Sequence, residues 1–308
     1  MFSSELLKEL NSTKVYIKDK ENVNKIIQNI ISDGKDKLQV ISDFDRTLTK
    51  QHENGKPHIS SFGLFKKCPS ISPRYVEQGQ NLMKKYYPIE IDTSRSDEEK
   101  KVVMEEWWSK INEAIKSVKC VLQIDDLKVY CRGETVSIED IALTTITEGP
   151  SLRDGTKQLF DDLYKANIPV LVFSAGLGDS VLEILKHSKV YLPNVRVISN
   201  FLLYDEKGVI QGFKNYPLIH VFNKNEYAVN DSDYVNKIKD RKNVFLMGDS
   251  LGDRNMAEGV QNAKNILKIG FLYDLTNKCL PSFMDAFDIV LEDDQTMDVP
   301  RAILNHIF

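Results

Sequence analysis

Apolar residues fall into two rhythms along this chain, and the change between them divides it. Val23, Ile26, Ile27, Ile30 and Ile31 recur at helical spacing, so the residues up to Gly34 read as helix, with that glycine as C-terminal cap. Leu38, Val40 and Ile41 form a short, β-prone run that reads as a buried strand. From Gln51 to about Pro73, Gly, Pro, Ser and His break any sustained period, and the segment reads as an irregular excursion. Two helices follow. One covers roughly Arg74 to Tyr87; the other opens at Ser96, where Glu99 completes a capping box, and runs past Trp108. Between them, Pro88 is expected to interrupt the helix ahead of Glu90, which is flanked by Ile89 and Ile91.

Strand and helix patterns alternate after Asp154. IPVLVFSAG is a continuous apolar run of the kind buried on both faces, ending at Ser174. VRVISNFLLY reads as the next strand, and DEKG followed by VIQGF as a hairpin appended to the sheet. NVFLMGDSLGD, ILKIGFL and DAFDIVL supply three more strands, and VPRAILNHI a closing helix. This order implies an α/β fold, a doubly wound parallel sheet with helices on both faces. Nothing between Gln51 and Pro150 alternates in this way. Residues 51–150 therefore read as a mainly helical domain inserted after the first strand of a core made by residues 1–50 and 151–308.

Composition narrows the class of function. A net charge of −4 and a pI near 5.8 offer no basic field for a nucleic-acid backbone. Cys68, Cys120, Cys131 and Cys279 are scattered, without the spacing of a zinc site. No apolar run is long enough to span a membrane, and the opening residues lack the apolar stretch of a signal peptide. The expectation is a monomer in a reducing cytosol, with a small molecule as its partner.

Candidate chemistry collects at strand ends. The first strand runs into Asp43 and Asp45, with Thr47 just beyond, and a strand ending in D-x-D-x-T delivers acids to the edge where open α/β sheets bind ligands. Two crowded carboxylates repel each other unless a cation or a proton is shared between them. A turn or helix cap would use the same residue types. Ser174 precedes AGLG, Asp249 and Asp253 sit in GDSLGD, and Lys224 lies in FNKNE. Carboxylates without His or Cys favour a hard, oxygen-preferring ion, with Mg²⁺ the usual one beside phosphate. A hydroxyl, glycine-exposed N–H groups and a lysine suit a phosphate dianion.

DFDRTLT, FSAG, Lys224 and GDSLGD, in that order, resemble the motifs of the haloacid dehalogenase superfamily of phosphohydrolases. YYPIEID, EEWW, NVRVISNFL and FDIVLEDDQTMDVP extend the resemblance over nearly the whole chain, to the cytosolic 5′-nucleotidase III family. The paired tryptophans are similar to the branch acting on 7-methylguanosine monophosphate. The resemblance implies a Mg²⁺-dependent 5′-nucleotidase acting on that nucleotide and on pyrimidine monophosphates, CMP above UMP. It implies Asp43 as nucleophile and Asp45 as proton carrier, with the metal held by Asp43, Asp249 and the Asp45 carbonyl. Ser174, the Ala175 N–H and Lys224 would hold phosphate, with Thr47 and Asp253 behind them, Asp253 orienting Lys224 or a metal-bound water. Glu90 would read the base and Trp108 stack on it, leaving Trp107 to the core. Ile111 stands where the family often has serine, and the segment 117–150 is longer than the family pattern. A phosphatase of small metabolites and a catalytically silent nucleotide binder are the alternatives.

Overall fold

The computed structural model describes residues 8–10, 14–92, 94–117, 136–206, 208, 210–224, 232–258, 260, 262–273 and 278–308. In chain order it begins with β1 (Val15–Tyr16), α1 (Lys20–Asp33) and β2 (Leu38–Ser42), followed by the small ribbon β3 (His52–Glu53) and β4 (Lys56–Pro57). Four helices come next: α2 (Ser61–Phe65), α3 (Pro73–Glu90), α4 (Asp97–Ser117) and α5 (Ile138–Glu148). Then come α6 (Thr156–Lys165), β5 (Val170–Leu177), α7 (Gly178–His187), β6 (Val195–Asn200) and the hairpin β7 (Leu202–Tyr204) and β8 (Ile210–Phe213). The chain closes with α8 (Ser232–Ile238), β9 (Asn243–Gly248), β10 (Asn265–Leu272), α9 (Leu280–Ala286), β11 (Ile289–Glu292) and α10 (Asp298–Ile307).

Seven strands form one sheet in the order β1-β11-β10-β9-β2-β5-β6, parallel throughout except for β1 at the edge. Alternation along the strands explains its double burial. Val40, Val170, Val172 and Phe245 join one core with Ile27 of α1, Leu159 of α6, Val181 of α7 and Ile303 of α10. Their neighbours Ile41, Leu171, Phe173 and Val244 face the opposite core, with Ile238 of α8 and Phe283 of α9. A strand with apolar residues on both faces survives only between two helical layers, which is the doubly wound arrangement.

β2 and β5 are adjacent in the sheet, and the helical insertion lies between them in the chain. The two connections are zipped together, with Lys50 N–H donating to the Ser151 carbonyl and Thr49 bridged to Leu152. A third core joins Phe65, Tyr75, Ile111, Ile115 and Ile141 of the insertion to Leu202, Ile210 and Phe213 of the β7–β8 hairpin.

Several local expectations are corrected. Val15–Tyr16 is a strand rather than helix, because it closes the open edge of β11 and its Tyr16 hydroxyl donates to Glu292 at 2.8 Å. The excursion after Gln51 holds the β3–β4 ribbon and α2, which Ser60 caps by accepting from Gly63 N–H. Pro88 does not stop α3: it falls in the last turns with Lys84 on an exposed face, so the carbonyl left unpaired is open to water. VRVISNFLLY breaks at Phe201, and its hairpin is a separate two-stranded sheet packed on the insertion rather than appended to the main sheet. The Ser96–Glu99 capping box does form, with backbone-to-side-chain distances of 3.0 and 3.2 Å.

Candidate active site

The carboxyl ends of β2, β5 and β9 open into a cavity of about 310 Å³, whose far walls are α3 and α4 of the insertion. Asp43, Asp45, Ser174, Ala175, Lys224, Asp249 and Asp253 line its floor, and Glu90, Trp107 and Trp108 its walls. Of the site residues expected from sequence, only Thr47 lies outside it. Thr47 is fully buried in the turn after β2, and its carbonyl accepts from Arg153 Nε at 2.7 Å.

Asp43 follows β2 directly, and its N–H donates to the Met247 carbonyl of β9 at 2.9 Å, which fixes the start of the turn against the neighbouring strand. Its Oδ1 accepts from Lys224 Nζ, while its buried Oδ2 has no hydrogen-bond partner among the described residues. Lys224 also donates to Asp253 Oδ1 at 2.7 Å. The other oxygen of Asp253 accepts from the N–H groups of Asp249 and Ser250 and from the Ser250 hydroxyl, at 3.1, 3.0 and 2.8 Å. Burial raises the Asp43 carboxyl, with Lys224 pulling the other way; burial also raises Asp249, with Asp43 and Asp253 adding like charge.

One oxygen each from Asp43, Asp249 and Asp253 lies within 4.8 Å of the others. Asp253 has both oxygens engaged by donors, so the open ligand atoms are Asp43 Oδ2 and the Asp249 carboxylate. An unpaired, buried carboxylate oxygen beside a second acid fits a hard cation, and these residues fit Mg²⁺.

Asp45 is held differently. Ser61 N–H donates to its Oδ1 at 2.7 Å and the Ser61 hydroxyl to its Oδ2 at 2.6 Å. Burial raises its carboxyl against those two bonds. The ladder between β5 and β6 breaks between Phe173 and Leu177, so Ser174, Ala175 and Gly176 bulge at the cavity edge. Gly176 is required there: a Cβ would lie 2.0 Å from Ser61 Oγ and 2.8 Å from Asp45 Oδ2.

The walls are more apolar. Burial pushes Glu90 up to about 7, with Arg46 the strongest opposing charge. Trp108 meets Phe62 edge-on, at 5.4 Å between centroids and 79° between planes. Trp107 is not confined to the core. It lines the same cavity while stacking on Tyr86 at 5.7 Å and 13°. Ile111 also lines the cavity, and residues 118–135 of the long segment lie outside the described residues.

Arg46, Ser61, Phe62, Tyr87 and the supporting Arg153 were not legible as site residues. Ser61 and Phe62 had a signal, a serine cap followed by apolar spacing in SSFGLF. Arg46 lies inside DFDRTLT, at a position that the D-x-D-x-T pattern leaves open, and Arg153 had no signal, because its role depends on where the chain returns.

The model of the family described as Pyrimidine 5′-nucleotidase (UMPH-1) matches residues 46–308. A 7-methylguanosine phosphate-specific 5′-nucleotidase of Gallus gallus is 39% identical over 302 residues, covering 98% of this chain and 99% of that protein. Its namesake in Drosophila melanogaster is 42% identical over 293 residues, covering 94% and 86%. The crystal structure of cytosolic 5′-nucleotidase IIIB bound to cytidine superposes with a TM-score of 0.84 at 39% identity, covering 97% of this chain and 95% of that one. With a family model spanning most of its length and the acids and lysine of its cavity in place, the chain belongs to the pyrimidine 5′-nucleotidase (UMPH-1) family and is a 5′-nucleotidase.

Proposed function

We propose that this 5′-nucleotidase is Mg²⁺-dependent and hydrolyses 7-methylguanosine monophosphate and pyrimidine monophosphates, CMP above UMP, through an aspartyl-phosphate on Asp43. The observation that carries the reading is the pairing of two differently held acids on one cavity floor. Asp43 has one oxygen bonded to Lys224 and one without a partner among the described residues, which gives it an atom for a metal and an atom for phosphorus, while Asp45 is raised by burial and held by Ser61, as suits a proton carrier.

In this reading Asp43 attacks phosphorus and the ribose 5′-oxygen leaves with a proton from Asp45. Asp45 then takes a proton from the water that hydrolyses the Asp43 ester. Ser174, the Ala175 N–H and Lys224 hold the phosphate oxygens, and Asp253 orients Lys224. The metal would be held by Asp43, Asp249 and the Asp45 carbonyl; bound there, Mg²⁺ supplies the charge that lets an anionic nucleophile approach an anionic phosphate. Thr47 supports the turn from below through its bond with Arg153.

Residues 51–150 act as the cap that reads the base, and residues 1–50 with 151–308 as the core that carries the chemistry. Glu90 accepts N–H groups from the base edge, and Trp108 stacks on the ring, a contact that a cationic 7-methylguanine strengthens. The names of the relatives carry the same two substrate classes, 7-methylguanosine phosphate and pyrimidine nucleotides, and one places its bearer in the cytosol. We adopt that location and a monomeric state.

Phosphate release from 7-methyl-GMP, CMP, UMP, GMP and AMP, with Mg²⁺ and with EDTA, tests the proposal. Turnover of the first three that EDTA abolishes is the expected result. Failure to hydrolyse any of them, or hydrolysis indifferent to EDTA, would overturn it.

A further inference from the structure

We propose that Arg46 is a substrate-binding residue that receives the phosphate of the nucleotide and sets the enzyme's preference for nucleotide over free nucleoside. The inference rests on the nucleotidase reading above and adds to it a residue that the acids and lysine alone do not supply.

Three observations converge on Arg46. Its backbone is in the left-handed region, with φ of 61°, a conformation that costs a side-chain-bearing residue energy and is common at functional sites. Both of its backbone polar groups are clamped there. Its N–H donates to Thr49 Oγ1 at 2.7 Å, and its carbonyl accepts from Arg153 Nη2. Arg153 is itself 1% exposed, its charge buried over the Phe271 ring at 4.0 Å. Burying a guanidinium to hold two successive carbonyls, those of Arg46 and Thr47, is costly unless the turn geometry is needed.

The clamp fixes the direction in which the Arg46 side chain leaves the backbone. It lines the cavity, among Asp249, Tyr87 and Asp45, and its charge is felt by Glu90 across the cavity. It therefore stands between the acidic floor and the base-reading wall. Charge counting shows what it does there. Asp43, Asp45, Asp249, Asp253 and Glu90 line the cavity and would repel a phosphate dianion. Lys224 opposes them, yet two of its three N–H donors are already given to Asp43 and Asp253. Lys66 and Arg46 line the cavity as well, and of these three cations Arg46 has the planar fork that matches phosphate.

Steady-state kinetics of Arg46→Met and Arg46→Gly, with CMP as substrate and cytidine as competitive inhibitor, test this, with Tm recorded for each. Wild-type turnover of CMP, run alongside, shows whether the underlying reading holds independently of Arg46. Loss of one charge-assisted contact should raise the KM for CMP about 10- to 100-fold in both variants, with the cytidine Ki within about twofold of wild type. Arg46→Gly, freed of the left-handed strain, should have a Tm no lower than wild type. Unchanged KM, or equal weakening of CMP and cytidine, would overturn the assignment; so would a fall in the Tm of Arg46→Gly that accounts for the activity lost.

Discussion

Lys224 Nζ is hydrogen-bonded to Asp43 Oδ1 with both side chains nearly sealed from solvent, at 3% and 7% exposure. The same ammonium spans to Asp253, so one positive charge serves two buried carboxylates. What that leaves over is informative. Asp43 Oδ2 has no hydrogen-bond partner among the described residues, and Asp249 adds a further acid beside it, opposed by the charge of Arg46. The floor carries more acids than cations, and a bound metal ion would offset that shortage of positive charge.

The first prediction follows from this shortage. Mg²⁺ at a hundredfold excess over its dissociation constant should stabilise the protein by about 2.7 kcal/mol, read as a saturable rise in Tm without substrate. Asp249→Asn should lose that rise. Asp43→Asn should abolish phosphate release while leaving the circular dichroism spectrum and the Tm without Mg²⁺ no worse than wild type, since it removes a buried charge. A Tm indifferent to Mg²⁺ would show that the cluster is no metal site.

Ser61 is the second test. It bonds both oxygens of Asp45 and sits 2.0 Å from where a Gly176 Cβ would be. Ser61→Ala removes one of the two bonds, so kcat should fall on the order of 10-fold with KM little changed. Gly176→Ala should fall further, because Ser61 and Asp45 must both move. Equal activity of Gly176→Ala and wild type would mean the close approach is incidental.

Glu90 yields a pH prediction with opposite signs for binding and stability. Burial pushes its carboxyl up to about 7, from an ordinary value near 4.5. Between those values the folded protein binds a proton that the unfolded chain does not. The stabilising contribution of the protonated form is therefore complete below about 4.5 and lost as pH rises through 7. Reading a base edge needs the ionised carboxylate, so nucleotide affinity should weaken as pH falls below 7. Glu90→Gln should gain on the order of 2 °C in Tm at pH 8, lose affinity there, and flatten both pH profiles. A variant that keeps the wild-type pH dependence of binding would remove Glu90 from base recognition.

The two tryptophans separate by their neighbours. Trp108 touches Phe62 edge-on, whereas Trp107 is stacked on the buried Tyr86, whose hydroxyl donates to Glu106 at 2.6 Å. Trp108→Ala should weaken 7-methyl-GMP by roughly 3- to 30-fold more than CMP, the range of a cation–π contact. Trp107→Ala should lower Tm and weaken all nucleotides together, because it removes a wall that Tyr86 supports. Parallel losses in Trp108→Ala would make that residue structural as well.

Much of this molecule is written in short stretches of sequence, and those stretches share a property. β2, β5, β9, β10 and β11 are apolar on both faces, so each demands two covering layers wherever it lies in the chain. Asp43, Ser174 and Asp249 could be read as neighbours because parallel strands in one sheet present the same end to one edge. The paired acids, and the ordered motifs that resemble a known family, required no knowledge of distance.

Tertiary structure decided what depends on return paths. Pro88 stays helical because its side of α3 meets solvent, and the β7–β8 hairpin leaves the main sheet because the insertion offers it an apolar face. Trp107 reaches the cavity, and Asp253 spends its oxygens on Lys224 and the Asp249–Ser250 turn, through geometry that spacing does not encode. Arg46 and Arg153 are the clearest case. They are 107 positions apart, Arg46 at a position that the D-x-D-x-T pattern leaves open and Arg153 outside any pattern. Sequence alone determined that acids gather at the strand ends that line the cavity, since local charge and periodicity place them there. Only the closed fold decided which residues hold them there, because a clamp between distant segments exists only once both have been brought together.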